Sequence, residues 1–203
     1  MGFKSFMGKA LLRLTGWKLV IVEPPPEHGC ILIGAPHTSY WDGVMMIFVA
    51  WGANLEMKWL GKEAIFRSPV GPLARAVGGI PIDRSNAGGI VESLVEELNE
   101  RQAEELVTGK PERPWALAIA PEGTRSPVSH WKSGFYRIAA GTGLPVVLGF
   151  IDKSTRTCGL GPTLTLQGDP KADMDVLRAF YEGKTGVRRH QVTNPRLRME
   201  EDQ

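Results

Sequence analysis

Cysteine is nearly missing: Cys30 and Cys158 are the only two among 203 residues. Two thiols cannot build a disulfide-rich secreted scaffold or a four-cysteine zinc site. They can form at most one bridge, and reduced thiols in a cytoplasmic protein are the expectation. Long apolar runs are missing too. No stretch approaches the roughly 18 uninterrupted apolar residues that a bilayer-spanning helix needs. The most apolar segment, Val44 to Ala53, is too short to span and reads as a buried helix. The net charge is only +2, so the chain lacks the overall basicity that would argue for nucleic acid. Lys9 and Arg13 interrupt the N-terminal apolar residues, which therefore do not read as a signal peptide. There is no internal repeat and no low-complexity tract. What remains, with 42% hydrophobic and 23% charged residues, is an ordinary globular chain of one-domain size.

Acidic residues are absent from the first eighteen positions, which carry Lys4, Lys9, Arg13 and Lys18. Phe3, Phe6, Met7, Ala10, Leu11 and Leu14 recur there at helical spacing, and Gly16 ends the pattern. The spacing predicts an amphipathic helix of about 24 Å, short of a bilayer core of about 30 Å. A helix of this kind can lie in the interface, with its apolar stripe in lipid and its cations toward anionic headgroups. Alternatively, the stripe packs on the domain. The chain accordingly divides into an N-terminal membrane-contact helix, 1–17, and a domain over 18–203.

Apolar strands are predicted at Lys18 to Glu23, Cys30 to Ala35, Leu55 to Leu60, Gly78 to Ile82, Trp115 to Ala120 and Leu144 to Ile151. Leu164 to Leu166 begins or continues another. Helices are predicted at Tyr40 to Trp51, Ala87 to Leu106, Lys132 to Ala140 and Ala172 to Tyr181, with a segment broken by Pro69 and Pro72 over Lys62 to Val77. Strands alternating with helices predict an α/β fold with a mostly parallel central sheet flanked by helices.

Four segments carry the chemistry. The first is His37-Thr38-Ser39-Tyr40-Trp41-Asp42, just after an apolar strand. A neutral imidazole can take a proton from a hydroxyl, and a carboxylate on its other nitrogen would fix the tautomer and stabilise the cation. Residues five apart do not share a helix face, so the two can meet only with His37 in the loop and Asp42 in the first helical turn. The same residues also match a capping box, in which Asp42 supports the helix N-terminus. The second segment, Ala120-Pro121-Glu122-Gly123-Thr124-Arg125-Ser126, again follows an apolar strand. Gly123 permits close backbone approach, Thr124 and Ser126 offer hydroxyls, and Arg125 can grip a phosphate with a planar fork. Alternatively it is a turn with a surface salt bridge. The third, Gly78-Gly79-Ile80-Pro81-Ile82-Asp83-Arg84, can bring a second cationic fork, and Lys132 adds a further phosphate contact. The fourth, Gly143-Leu144-Pro145-Val146-Val147, holds no acid or base and reads as a core strand with a shaped entry. His28, His130 and His190 are scattered, and no metal site is expected.

Taken together, and in this order, the four segments resemble the glycerolipid acyltransferase family, which contains the bacterial 1-acylglycerol-3-phosphate acyltransferases (PlsC-like). The combination of His-x4-Asp with Pro-Glu-Gly-Thr-Arg-Ser about 80 residues later is specific, and the resemblance runs from His37 to Val147. Pro36, Ala120 and Pro81 depart from residues common in the family, at walls and loops rather than at the acid–base pair.

The resemblance implies acyl transfer from an acyl thioester, carried by CoA or acyl-carrier protein, to a lysophospholipid hydroxyl, with 1-acylglycerol-3-phosphate the leading acceptor. Another lysolipid such as a lyso-ornithine lipid, or a non-catalytic lipid-binding protein, is the alternative. It further implies His37 as general base held by Asp42. Arg84 and Arg125, with Glu122, Gly123, Thr124 and Lys132, would bind the acceptor phosphate. Backbone N–H groups near Gly123 would serve the oxyanion. No cofactor beyond the donor co-substrate and no nucleic-acid partner is implied, and the enzyme would sit peripherally on the cytoplasmic face of a membrane.

Overall fold

A computed structural model describes residues 2–83, 87–109 and 111–201. Its frame is a seven-stranded sheet. The strands are β1 (Lys18–Ile21), β2 (Cys30–Ala35), β3 (Glu56–Lys62), β4 (Gly79–Ile82), β5 (Trp115–Ile119), β6 (Val146–Asp152) and β7 (Thr157–Leu164). They lie in the order β1-β7-β6-β2-β5-β3-β4. Every neighbouring pair is parallel except β6 and β7, which run antiparallel through a tight connection. The fold is therefore the α/β class with a mostly parallel sheet that the alternation of strands and helices predicts.

The central strands are buried on both faces, which is why they read as continuous apolar runs. Side chains alternate between two cores, as the pleat requires. Ile31, Ile33, Trp115, Leu117, Val146 and Leu148 face α5 (Ala87–Thr108), α6 (Gly134–Thr142) and α7 (Pro170–Tyr181). Cys30, Leu32, Ala116, Ala118, Val147 and Ile151 face α2 (Tyr40–Gly52) and its neighbour α1 (Phe3–Leu14). Both cysteines are free and buried in this second core, and burial pushes each thiol up to about 12. That leaves them inert packing residues near neutral pH.

The proline-broken segment forms two short helices, α3 (Glu63–Phe66) and α4 (Gly71–Ala76), as expected from Pro69 and Pro72. The expectation around Leu164 was incomplete. Leu164 continues a strand and ends it, residues 165–166 lie beyond it, and its earlier part passes through Gly159, Gly161 and Pro162. Small residues are demanded by the packing: a Cβ on Gly159 would sit 1.6 Å from the Val20 carbonyl oxygen. Tertiary contact overrides the strand propensity that the sequence lacks.

The N-terminal helix uses two different faces. Ser5, Gly8 and Leu12 are buried, spaced along one side of α1. The Ser5 hydroxyl donates to the Gly52 carbonyl (3.2 Å), and a Cβ on Gly8 would meet the Phe48 carbonyl at 2.6 Å. Small residues thus let α1 and α2 approach closely. The large apolar residues Phe3, Phe6 and Leu14 point outward, 79%, 69% and 83% exposed. No helix among the described residues is long and apolar enough to cross a membrane.

Candidate active site

β2, β5, β3 and β4 are parallel neighbours, so the loops that follow them gather at one carboxyl edge of the sheet. Open α/β sheets place ligands at that edge. β2 delivers His37, β5 delivers Glu122 to Arg125, and β4 leads to Asp83. Arg84, the second expected phosphate fork, lies outside the described residues.

His37 sits in the loop before α2, and Asp42 in the first turn of that helix. This is the one placement in which the two can cooperate. Asp42 also caps α2. The Ser39 hydroxyl accepts the Trp41 N–H (2.9 Å), and Asp42 Oδ2 accepts the N–H groups of Ser39 (2.5 Å) and Thr38 (2.6 Å) and the Thr38 hydroxyl (2.9 Å). Its Oδ1 accepts the Val187 N–H at 2.9 Å, from a segment 145 residues away. The capping and functional readings of Asp42 are compatible: one buried carboxylate fixes the helix start and the loop that carries His37.

Glu122 joins the two loops. Its Oε1 accepts the His37 backbone N–H at 2.9 Å, while its Oε2 is buried and has no hydrogen-bond partner among the described residues. The residue is only 3% exposed. Its carboxyl is pushed up to about 7, chiefly by burial; the His37 N–H and its own N–H pull down, and the nearby Asp42 charge pushes up. A surface salt bridge, the simpler alternative for this turn, is not what Glu122 makes.

The sign of the resulting linkage is definite. The folded chain holds the Glu122 proton more tightly than the unfolded chain, whose ordinary value is 4.5. The folded state is therefore favoured below that range, and stability falls as pH rises from about 4.5 to about 7, by up to about 3 kcal/mol. Glu122→Gln keeps an acceptor for the His37 N–H and removes the titration. Melting temperatures measured across this window should fall less steeply with pH in the variant than in the wild type. An unchanged slope would mean that Glu122 does not titrate there.

Gly123 turns the chain with φ 66°, and its N–H donates to the Ala120 carbonyl at 3.0 Å. Gly123's own amide is therefore engaged in the turn. Arg125 lies 3.6 Å over the ring of Tyr40, the exposed first residue of α2. A guanidinium over an aromatic face keeps its N–H donors for a planar anion. Thr124 is exposed. Lys132 is exposed as well, and its stem runs beside Gly123, 3.3 Å from where a Cβ would stand. The structure thus brings His37, Asp42, Glu122, Gly123, Thr124, Arg125 and Lys132 to one region.

Sequence reasoning missed the contribution of the polar stretch after α7. Arg188 donates its N–H to the Thr38 hydroxyl (2.9 Å). With its amide nitrogen assigned to the side facing two carbonyls, Gln191 donates to Thr38 O (2.7 Å) and Arg125 O (3.0 Å). No motif marks these residues.

The family model described as Acyltransferase matches residues 19–148, well over half of the chain. No curated protein matches. Among solved structures, the chain is similar to the 1-acyl-sn-glycerophosphate (LPA) acyltransferase PlsC from Thermotoga maritima. That likeness has 20% identity over 81% of this chain and 68% of that one, with a TM-score of 0.49.

Proposed function

The chain belongs to the acyltransferase family, and from that premise we propose that it moves a fatty acyl group from an acyl thioester to the hydroxyl of a lysophospholipid, with 1-acylglycerol-3-phosphate as acceptor and phosphatidic acid as product. The observation that supports this reading best is the junction of the two loops, in which the His37 N–H rests on Glu122 and the Asp42 cap holds the loop between them. An acid–base residue and a phosphate-binding turn thereby share one edge of the sheet.

In this mechanism the His37 imidazole takes the proton of the acceptor hydroxyl as its oxygen attacks the thioester carbonyl. Asp42 orients the imidazole and stabilises its cation. The C–O bond forms, and the carbonyl oxygen becomes a tetrahedral oxyanion that backbone N–H groups beside the Gly123 turn stabilise. Collapse expels the thiolate, which receives the proton from His37. CoA or acyl-carrier protein leaves, and no covalent enzyme intermediate is required. Arg125, Thr124 and Lys132 hold the acceptor's phosphate, with Arg84 completing the set. The exposed stripe of α1 seats the enzyme peripherally on the cytoplasmic face of the membrane that holds its acceptor.

The test is thiol release from palmitoyl-CoA by the purified protein, with and without lysophosphatidic acid. Release that depends on the acceptor supports the reading. Acceptor-independent release, or none with either CoA or carrier-protein donors across a panel of lysolipids, overturns it. Arg125→Ala refines the phosphate assignment. If its fork binds ground and transition states equally, the variant should show a raised KM for the phosphate-bearing acceptor with kcat and the donor KM little changed. An unchanged acceptor KM would remove Arg125 from the binding site.

A further inference from the structure

The segment after α7 lies beyond the residues that the family model matches, yet it is hydrogen-bonded to the candidate catalytic loop at several points. It leaves α7, and Thr185 donates through its N–H (3.3 Å) and its hydroxyl (3.1 Å) to Asp152 at the end of β6. It then passes against the loop that carries His37. Gly186 makes this passage feasible: a Cβ there would stand 2.6 Å from the Thr38 hydroxyl oxygen and 3.1 Å from the Pro36 carbonyl oxygen. The next two N–H groups point into the loop, Val187 to Asp42 Oδ1 and Arg188 to Thr38 Oγ1, each at 2.9 Å. Gln191 finishes the span by donating one amide group to carbonyls on both loops, Thr38 and Arg125. Farther on, the Thr193 hydroxyl accepts the Val128 N–H at 3.1 Å, and the Trp131 N–H donates to Arg196 O at 2.7 Å.

We propose that residues 185–191 form a positioning strap, in which Gly186 and Gln191 set the placement of Asp42 and the spacing between the His37 loop and the Arg125 loop. A buried carboxylate with two oxygens needs donors on both sides to hold one orientation. The loop itself supplies three donors to Oδ2, and the strap supplies the Val187 N–H to Oδ1. Thr38 is the relay: its hydroxyl donates to Asp42 and accepts from Arg188. Gln191 fixes a different coordinate. A base on one loop and an anion-binding arginine on the other must be held at one separation for the acceptor hydroxyl to reach the base, and a displacement of about 1 Å can cost on the order of 10²-fold in rate. A single amide bonded to both loops holds that separation. The proposal rests on the reading of His37 and Asp42 given above.

Two variants test it at different points. Gly186→Ala forces the strap away from Thr38 and Pro36. Gln191→Leu keeps an apolar body of similar size and removes both donors. In acceptor-dependent thiol release, measured well below each melting temperature, both should lose about 10–100-fold in kcat while the donor KM stays within about twofold. Met174→Ala, a truncation of a fully buried core side chain in α7, is the control for lost stability. It should keep its kcat at a comparable fall in melting temperature. Strap variants with kcat within about twofold of the wild type, or a loss equalled by Met174→Ala, overturn the proposal. His37→Ala in the same assay separates the two ideas. An active His37→Ala means that the underlying site reading has failed. An inactive His37→Ala beside fully active strap variants means that only the strap has failed.

Discussion

Replacing His37 with alanine is expected to lower acceptor-dependent thioester turnover by about 10²–10⁴-fold, the usual worth of a general base. The folded chain should survive the change. The contact that His37 makes with Glu122 uses its backbone N–H, which alanine retains. The loop around it is held by the Thr38 and Ser39 N–H groups on Asp42, which the substitution leaves in place. Equal turnover by wild type and variant would remove His37 from the chemistry. Asp42 is a less clean target. Asp42→Asn places an NH2 group where a carboxylate oxygen accepts N–H donors, and both oxygens are so engaged. Whichever way the amide turns, donor meets donor, so this variant should lose melting temperature as well as rate. The comparison of the two variants therefore separates chemistry from loop architecture.

Much of this arrangement was legible in the chain because it is local. β2, β5 and β6 announce themselves as apolar runs, since strands buried on both faces leave no polar alternation. Ser39 and Asp42 stand at capping-box spacing, and the cap is there. His37 and Glu122 each follow a central strand, so parallel topology alone brings them to one edge. What was not legible depends on distant partners. The rise of the Glu122 carboxyl comes from burial, which spacing cannot reveal. The contacts of Val187 and Gln191 come from a polar stretch whose roles are carried by backbone N–H groups and one amide. Such donors leave no signature in residue type. The N-terminal stripe shows a third kind of limit. Its helical period is plain, but the period alone does not say which face meets the domain.

That face decides the second large effect. The outward residues Phe3, Phe6 and Leu14 lie on a different side of α1 from the buried Ser5, Gly8 and Leu12. Full transfer of three such side chains out of water is worth about 1.5–3 kcal/mol each. Realising only half of that sum in the interface still amounts to about 10²-fold in membrane partitioning. Exposed Lys4, Lys9 and Arg13 add attraction to anionic lipid, about 1 kcal/mol per cation near the surface. A Phe3→Ala, Phe6→Ala, Leu14→Ala variant is therefore expected to lose about 10²-fold in binding to mixed phosphatidylcholine and phosphatidylglycerol vesicles, read by co-sedimentation. Its melting temperature should hold, because alanine is the best helix former and the packed face is untouched. Removing residues 1–16 would be a poorer experiment, since it strips Leu12 from the core beside α2 and unseats the Ser5 contact to Gly52. The same triple variant should keep its turnover on a dispersed short-chain acceptor, for which no surface is required. Salt should weaken wild-type binding to the anionic vesicles, since the cationic share is screened within about 10 Å at 0.1 M. Undiminished sedimentation of the triple variant would show that this stripe is not what meets the lipid. Lost turnover on the dispersed acceptor would instead place the stripe's role in the turnover itself and not at a lipid surface.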